Sequence, residues 1–189
     1  IGAGIGALGG AAIGSATGGN RGAIGTGAVV GAAAGALGGY LWSQRMENQK
    51  RQMEAATQGT GVAVTQTPNN ELKLAIPSDV SFDVGRSNIK SNFAPVLDQF
   101  ASGLRNNPAA EVRIIGHTDS TGSDAINNPL SVDRAASTRD YLVARGVNAA
   151  IFRIEGRGSH EPIADNNSDA GRAQNRRVEI YVGERGPRG

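Results

Sequence analysis

Residues 116–135 read GHTDSTGSDAINNPLSVDRA, and residues 171–180 read GRAQNRRVEI. The first stretch leaves a strand-like run at residues 112–116, crosses a Gly-containing loop and enters a helix. With the helix starting near Asn127, the residues Asn127, Leu130, Ser131 and Arg134 fall at i, i+3, i+4 and i+7 and share one stripe over two turns. That start also puts Pro129 in the first turn, where no intrahelical N–H is required. Asp119, just past the strand, then faces an amide and a guanidinium on the following helix. One carboxylate opposite one guanidinium suits a zwitterion: Asp119 takes an ammonium, and Arg134 takes a carboxylate through its forked donors.

The flanking sequence supplies a fold to hold this pair. Residues 62–67 and 71–76 alternate apolar and polar around Pro68-Asn69-Asn70, which predicts a β-hairpin. Phe93, Val96, Leu97, Phe100 and Leu104 lie on one face of a helix stopped by Asn106-Asn107-Pro108. A strand over residues 111–116 follows, then the helix carrying Asn127 and Arg134, which runs to Arg145 with Gly146 as its C-terminal stop. Residues 151–155 alternate weakly, and residues 177–182 alternate cleanly, with Val178, Ile180 and Val182 on one face. Interleaved strands and helices predict an α/β fold, one sheet with helices packed on one face. About 125 residues suffice for one such core.

These motifs carry a resemblance. The stretch from about residue 62 to 182 resembles the OmpA-like C-terminal domain, a peptidoglycan-binding module, and its signature is present on this chain: Gly116-His117-Thr118-Asp119, Asn127, Leu130-Ser131, Arg134-Ala135, Gly171-Arg172-Ala173 and Asn175-Arg176-Arg177-Val178-Glu179-Ile180. The resemblance implies one mixed sheet with helices on one face. It also implies non-covalent binding of the meso-diaminopimelate residue of peptidoglycan stem peptides, gripped at its amino-acid end by Asp119 and Arg134. Asn127 and Arg176 match supporting polar positions, and Thr118 and Leu130 of the same signature complete the expected ligand-binding set. Arg176 and Arg177 adjoin on a strand, so one must face away, and Arg176 is chosen from its match to the family position. Gly85, where some relatives contribute a side chain, offers backbone only.

The N-terminal 40 residues are of another kind. They hold 15 of the 28 glycines, with Arg21 as their only charge. Gly2, Gly6, Gly10, Gly14 and Gly18 recur every four residues, and after Gly19-Asn20-Arg21-Gly22 so do Gly27, Gly31, Gly35 and Gly39. In water so much glycine costs a helix about 1 kcal/mol per site relative to Ala; between helices in a bilayer it permits close backbone approach. Each segment is roughly 27 Å long as a helix, near the roughly 30 Å hydrocarbon thickness. The expectation is a glycine-zipper, membrane-associated helical hairpin turning at Asn20-Arg21, with Tyr40 and Trp42 at the interface; the alternative is a flexible Gly/Ala linker. The predicted organisation is then the hairpin at residues 1–42, a polar, solvated helical linker at 43–60, the OmpA-like domain at 61–183 and a tail at 184–189. The chain opens on Ile1 rather than Met, which leaves room upstream for a secretory signal or lipidated cysteine. Relatives combining both halves are typically outer-membrane lipoproteins, which implies a Gram-negative envelope with the wall-binding domain in the periplasm.

Other chemistries find little support. The net charge is +2 with scattered Lys and Arg, and the aromatic residues are one Trp, three Tyr and four Phe, so nucleic acid is not an expected partner. Without cysteine there is neither a disulfide nor a thiolate metal site. Gly4-Ile5-Gly6-Ala7-Leu8-Gly9 spells GxGxxG, but no strand precedes it and the first acid is Glu47. His117, Asp119 and Ser120 are too close in sequence to line up as a catalytic triad, so His117 is expected to shape the loop. His160 reads as a surface turn residue. Residues 165–176 fail as a calcium loop, with Ala170 at the sixth position and Arg176 at the twelfth, and Ser168 reads as a helix N-cap. No enzyme, cofactor or metal is expected. The predicted function is anchoring of the outer membrane to the wall; the alternative is a zipper-mediated oligomeric membrane pore tethered to the wall.

Overall fold

The computed structural model describes residues 40–83 and 86–186. The zipper hairpin, apart from residues 40–42, lies outside the described residues, as does Gly85. Among the described residues no helix is long and apolar enough to cross a membrane.

Five strands form one mixed sheet: β1 (Ala63–Gln66), β2 (Leu72–Pro77), β3 (Ala110–His117), β4 (Phe152–Gly156) and β5 (Arg177–Glu184), in the order β1-β2-β5-β3-β4. All neighbours are antiparallel except β3 and β4. The hairpin turns where Pro68-Asn69-Asn70 predicts, and Asn70 takes the left-handed backbone conformation (φ 64°) that Asn tolerates better than most residues. Between the strands lie α1 (Gln44–Ala56), the short α2 (Ser78–Ser81), α3 (Ala94–Arg105), α4 (Asp124–Ala144) and α5 (Asp169–Asn175).

Alternation along the strands decides what is buried. Register aligns Val64, Leu74, Ile180, Ile114 and Ile154 in one row across all five strands. Against this face pack Val96, Leu97, Phe100 and Leu104 of α3, Ala135 and Leu142 of α4, and Met46 and Met53 of α1. The predicted sheet with helices on one face is therefore the observed one.

The solvated helical link is corrected. The helix forms, with Ser43 as its N-cap accepting from the Met46 amide at 3.2 Å. However, Met46 and Met53 are fully buried against the sheet and α3. They stand seven residues apart, two turns of helix, and so lie on one stripe. Two large apolar side chains in a 13-residue helix are too few to show a period in the sequence. The chain entering α1 is fixed as well: the Leu41 amide donates to the Glu184 carbonyl at 2.9 Å, and the Glu184 carboxylate accepts from Ser43 at 3.0 Å and Asn107 at 2.9 Å. Glu184, expected to open a tail, is the last residue of β5.

A second correction concerns α4. It starts at Asp124, with Ser123 as its N-cap, three residues before the predicted start, so Pro129 sits inside the helix and not in the first turn. Ser123 takes the extended backbone of a cap, without a capping bond from its side chain, and Asp124 in the first turn complements the helix dipole. The stripe survives the shift, since spacing is independent of where a helix begins: Asn127, Ser131 and Arg134 are all buried.

The close approach of α4 to the sheet needs two glycines. A Cβ on Gly116 would stand 2.0 Å from the Ser131 carbonyl oxygen, and one on Gly156 would stand 2.5 Å from Ser131 Oγ. With neither present, helix backbone lies directly on β3 and β4.

On the opposite face, charged side chains bond to one another. Glu179 accepts from Arg177 at 3.3 Å, lies 2.9 Å from His117 Nε2 and pairs with Lys73 at 3.3 Å, while Tyr181 lies under Arg113 with 4.6 Å between guanidinium and ring centre. His117 is thus corrected from a loop-shaping residue to a buried strand residue turned away from the loop. Burial alone would raise the Glu179 pKa, but the His117 hydrogen bond and the Arg177 and Lys73 charges bring it down to about 2.

Two outcomes are expected. Gly116→Ala should lower stability by roughly 1–3 kcal/mol, because the obstacle is helix backbone and not a movable side chain; an unchanged urea midpoint would contradict the contact. Glu179 titrates lower folded than unfolded, so its contribution is present above pH 4.5 and is lost as pH falls toward 2. Glu179→Gln should therefore cost on the order of 3 kcal/mol at neutral pH, with the difference from wild type shrinking in urea titrations as pH drops below 4.5.

Candidate functional site

At the end of the sheet where β3 leaves for α4, a cavity of about 400 Å³ opens. Its lining includes all six residues singled out in the sequence, Thr118, Asp119, Asn127, Leu130, Arg134 and Arg176, together with Asp79, Thr121 and Arg172.

Asp119 is the buried anion. Its Oδ1 accepts from the Thr121 amide at 2.7 Å, a local turn of the kind Asp favours, and its Oδ2 accepts from Arg176 Nη1 at 2.6 Å. Burial would raise its pKa, yet the Arg176 hydrogen bond and the Thr121 bonds outweigh it, so the carboxyl sits below its ordinary value and is ionised at neutral pH. Asn127 holds the loop in place by donating to the Thr121 carbonyl at 3.0 Å and the Asp119 carbonyl at 3.5 Å. Thr118 ties the same loop to its neighbour, its amide donating to the Gly158 carbonyl at 2.8 Å.

Arg134 reaches into the cavity from α4 without pairing to Asp119. Its Nε donates to the Arg86 carbonyl at 3.0 Å and its Nη2 to the Asp83 carbonyl at 3.4 Å, and the guanidinium stands 5.2 Å from the Phe82 ring centre. Burial pulls its pKa below the ordinary value, opposed by the Asp79 charge and less strongly by Asp119, while Arg176 adds to the lowering. Among the described residues no carboxylate lies within ion-pairing distance of Arg134, and no bond engages Nη1. The cation is thus fixed by neutral acceptors and retains donor capacity.

The Asn175-Arg176-Arg177 run sends its three side chains to three places. Asn175, fully buried, accepts from the Ile163 and Ala164 amides at 2.8 and 2.9 Å and so shapes the loop beside the cavity. Arg176 enters the cavity, as chosen, and binds Asp79 as well as Asp119. Arg177 turns away, donating to Glu179, the Asn175 carbonyl and the Glu161 carbonyl. Ser168 caps α5, accepting from the Gly171 amide at 3.0 Å, and His160 is exposed beside Asp124, both as read from the sequence.

Three lining residues were not anticipated. Arg172 belongs to the quoted Gly171-Arg172-Ala173 and was given no role; it donates to the Asn166 carbonyl at 2.8 Å and pairs with Asp169. Thr121 contributes through its backbone. Asp79 sits on α2, some 40 residues upstream of Asp119 in no motif, so only its charge could have drawn notice. Among the described residues no group of three or more His, Cys, Asp or Glu could hold a metal ion.

The chain is similar to known families and proteins. Residues 81–176 match the OmpA family, and residues 1–50 match the glycine zipper. The chain is 41% identical over 182 residues to the probable lipoprotein YiaD of Escherichia coli, covering 96% of this chain and 82% of that protein. It is 49% identical over 119 residues to the peptidoglycan-binding protein ArfA of Mycobacterium tuberculosis, covering 61% of this chain and 36% of that longer protein. The structure of the cell wall anchor of the Pseudomonas aeruginosa T6SS superposes with a TM-score of 0.64 at 32% identity, over 72% of this chain and 96% of the other. With the six expected binding residues around one cavity, residues 81–176 matching the family and 96% of the chain aligned with one relative, the chain belongs to the OmpA family and carries a glycine zipper at its N-terminus.

Proposed function

We propose that this protein binds peptidoglycan non-covalently and anchors the outer membrane to the cell wall, and that the ligand is the amino-acid end of meso-diaminopimelate in the stem peptide. The observation that carries this reading is one cavity holding an ionised carboxylate, Asp119, and a guanidinium, Arg134, that is fixed by carbonyl oxygens and unpaired with any described carboxylate. An ammonium suits the first and a carboxylate the second. Asn127 and Thr118 set the loop, Leu130 offers an apolar wall to the ligand's methylene chain, and Arg176 completes the charge balance. Support comes from relatives whose names give wall binding or wall anchoring. In this reading the glycine-rich segment before residue 40 associates with the outer membrane of a Gram-negative envelope and the cavity faces the periplasm. Tyr40 and Trp42, expected at the membrane interface, are instead held by the domain, Tyr40 donating to Glu111 at 3.0 Å and Trp42 packing against the core. The role is attachment without catalysis. Single sites of this kind are modest in affinity, and many copies on one polymer give strong attachment.

The test is co-sedimentation of the full chain, in mild detergent, with purified sacculi. Asp119→Asn removes the charge while leaving an oxygen for the Thr121 amide, and Arg134→Lys keeps a charge while removing the fork. Each should weaken sedimentation strongly, Asp119→Asn because loss of one buried charged partner costs roughly 2–5 kcal/mol and Arg134→Lys because a single ammonium cannot reproduce the two-pronged contact with a carboxylate. If both folded variants sediment like wild type, the cavity is not the wall site.

Chemical selectivity gives a separate check. A stem peptide containing meso-diaminopimelate should compete with sacculi, and its lysine-containing counterpart should compete poorly because it lacks the second carboxylate for Arg134. Equal competition by the two would mean that some other feature of the wall is recognised.

A further inference from the structure

We infer that Asp79 is a positioning residue for this cavity: it holds the Arg176 guanidinium partly off Asp119 and so keeps that carboxylate open to a ligand ammonium. The inference rests on the reading of the cavity as the wall site and concerns how its anion is kept available.

The geometry is a competition between two carboxylates for one guanidinium. Arg176 turns two donors to Asp79, Nε at 3.3 Å to Oδ1 and Nη2 at 3.1 Å to Oδ2, and only Nη1 to Asp119 Oδ2 at 2.6 Å. Asp79 therefore takes the forked, two-bond arrangement that an arginine and a carboxylate prefer, and Asp119 takes a single bond. A carboxylate accepts about four hydrogen bonds. The bonds that Asp119 receives from Arg176 and from Thr121 leave capacity for an ammonium.

The backbone places Asp79 for this task. Pro77 of β2 pairs with Arg177 of β5, and the first residue of α2, Ser78, donates its amide to the Arg176 carbonyl at 2.8 Å. The next residue, Asp79, is thus carried alongside Arg176 by the register of the sheet. Exposure divides the two acids: the Asp79 side chain is 56% exposed and that of Asp119 10%. The outer carboxylate is the one with solvent to spare, and the inner one is the one a ligand must reach.

Without the Asp79 charge, Asp119 is the sole carboxylate among the described residues within ion-pairing distance of Arg176. The fork then closes on Asp119, occupying both oxygens, and an incoming ammonium has to displace a guanidinium from a buried partner. Asp79 keeps Asp119 open through Arg176, so the weakening caused by its loss must disappear when Arg176 is neutral.

The experiment is calorimetric titration of the full chain, in mild detergent, with a stem tripeptide ending in meso-diaminopimelate. Asp79→Asn should weaken binding about fivefold, the scale of a partly exposed ion pair. Asp79→Glu should restore most of it. In an Arg176→Gln background Asp79→Asn should no longer weaken binding, and a tripeptide with its side-chain ammonium acetylated should bind Asp79→Asn no more weakly than it binds the wild type. Wild-type affinity in Asp79→Asn, or the same loss with and without Arg176, would overturn the positioning role. Asp119→Asn separates the two levels. If it binds like wild type, the reading of the cavity itself fails; if it loses binding while Asp79→Asn does not, only the role of Asp79 fails.

Discussion

The contact of helix backbone with strand backbone at Ser131, Gly116 and Gly156 is the constraint on which the site depends. Two positions without Cβ atoms let α4 lie directly on β3 and β4. That closeness sets the height of the helix over the sheet, and with it how far Asn127, Leu130 and Arg134 reach past the strand end toward Asp119. Ser131 shares the stripe of those residues and lies at its contact point, so one helical face both docks the helix and builds the cavity wall. The Ser131 hydroxyl accepts from the Gly158 amide at 3.1 Å, joining the next loop to the same contact.

The cavity's electrostatics follow from two different ways of holding an arginine. Arg134 is held by backbone carbonyls and an aromatic face, which fix its direction without neutralising it. Arg176 is held by two carboxylates. A cation kept charged but unpaired is costly when buried, and its pKa is lowered accordingly, yet that same lack of a partner suits it to take an anion from a ligand. Asp119 is the complementary case, an anion whose buried charge is already supported, so that it stays ionised.

The attachment of α1 bears on how the two halves of the chain are joined. The segment arriving from the glycine-rich region is bonded to the domain from Tyr40 and Leu41 on, continues through the Ser43 cap and is held by Met46 and Met53 in the core. Glu184, at the far end of β5 from Arg176, gathers bonds from Ser43 and Asn107. The point of entry and the cavity are therefore at opposite ends of the same central strand. β5 is hydrogen-bonded on both sides, to β2 and β3.

Local pattern determined much of this protein. Alternation and helical period located the hairpin, the Phe93 to Leu104 face, β3, β5 and the long helix, because burial on one face leaves a period that a single sequence displays. Spacing fixed the Asn127, Leu130 and Arg134 stripe even though the helix begins three residues earlier than Pro129 suggested, since a stripe depends on separation and not on the cap. Matching the family signature chose Arg176 over Arg177, which strand alternation alone left open. Tertiary structure decided what no local pattern encodes. Asp119 pairs with Arg176 and not with Arg134, because β5 and the β3 exit are brought together by register across 57 residues. Asp79 enters the cavity through the β2–β5 pairing, far from any motif. The polar helix at residues 44–56 joins the core on two methionines, and His117 belongs to the outer face of the sheet, because which neighbours a side chain meets is set by the assembled sheet and helices and not by the residues beside it in the chain.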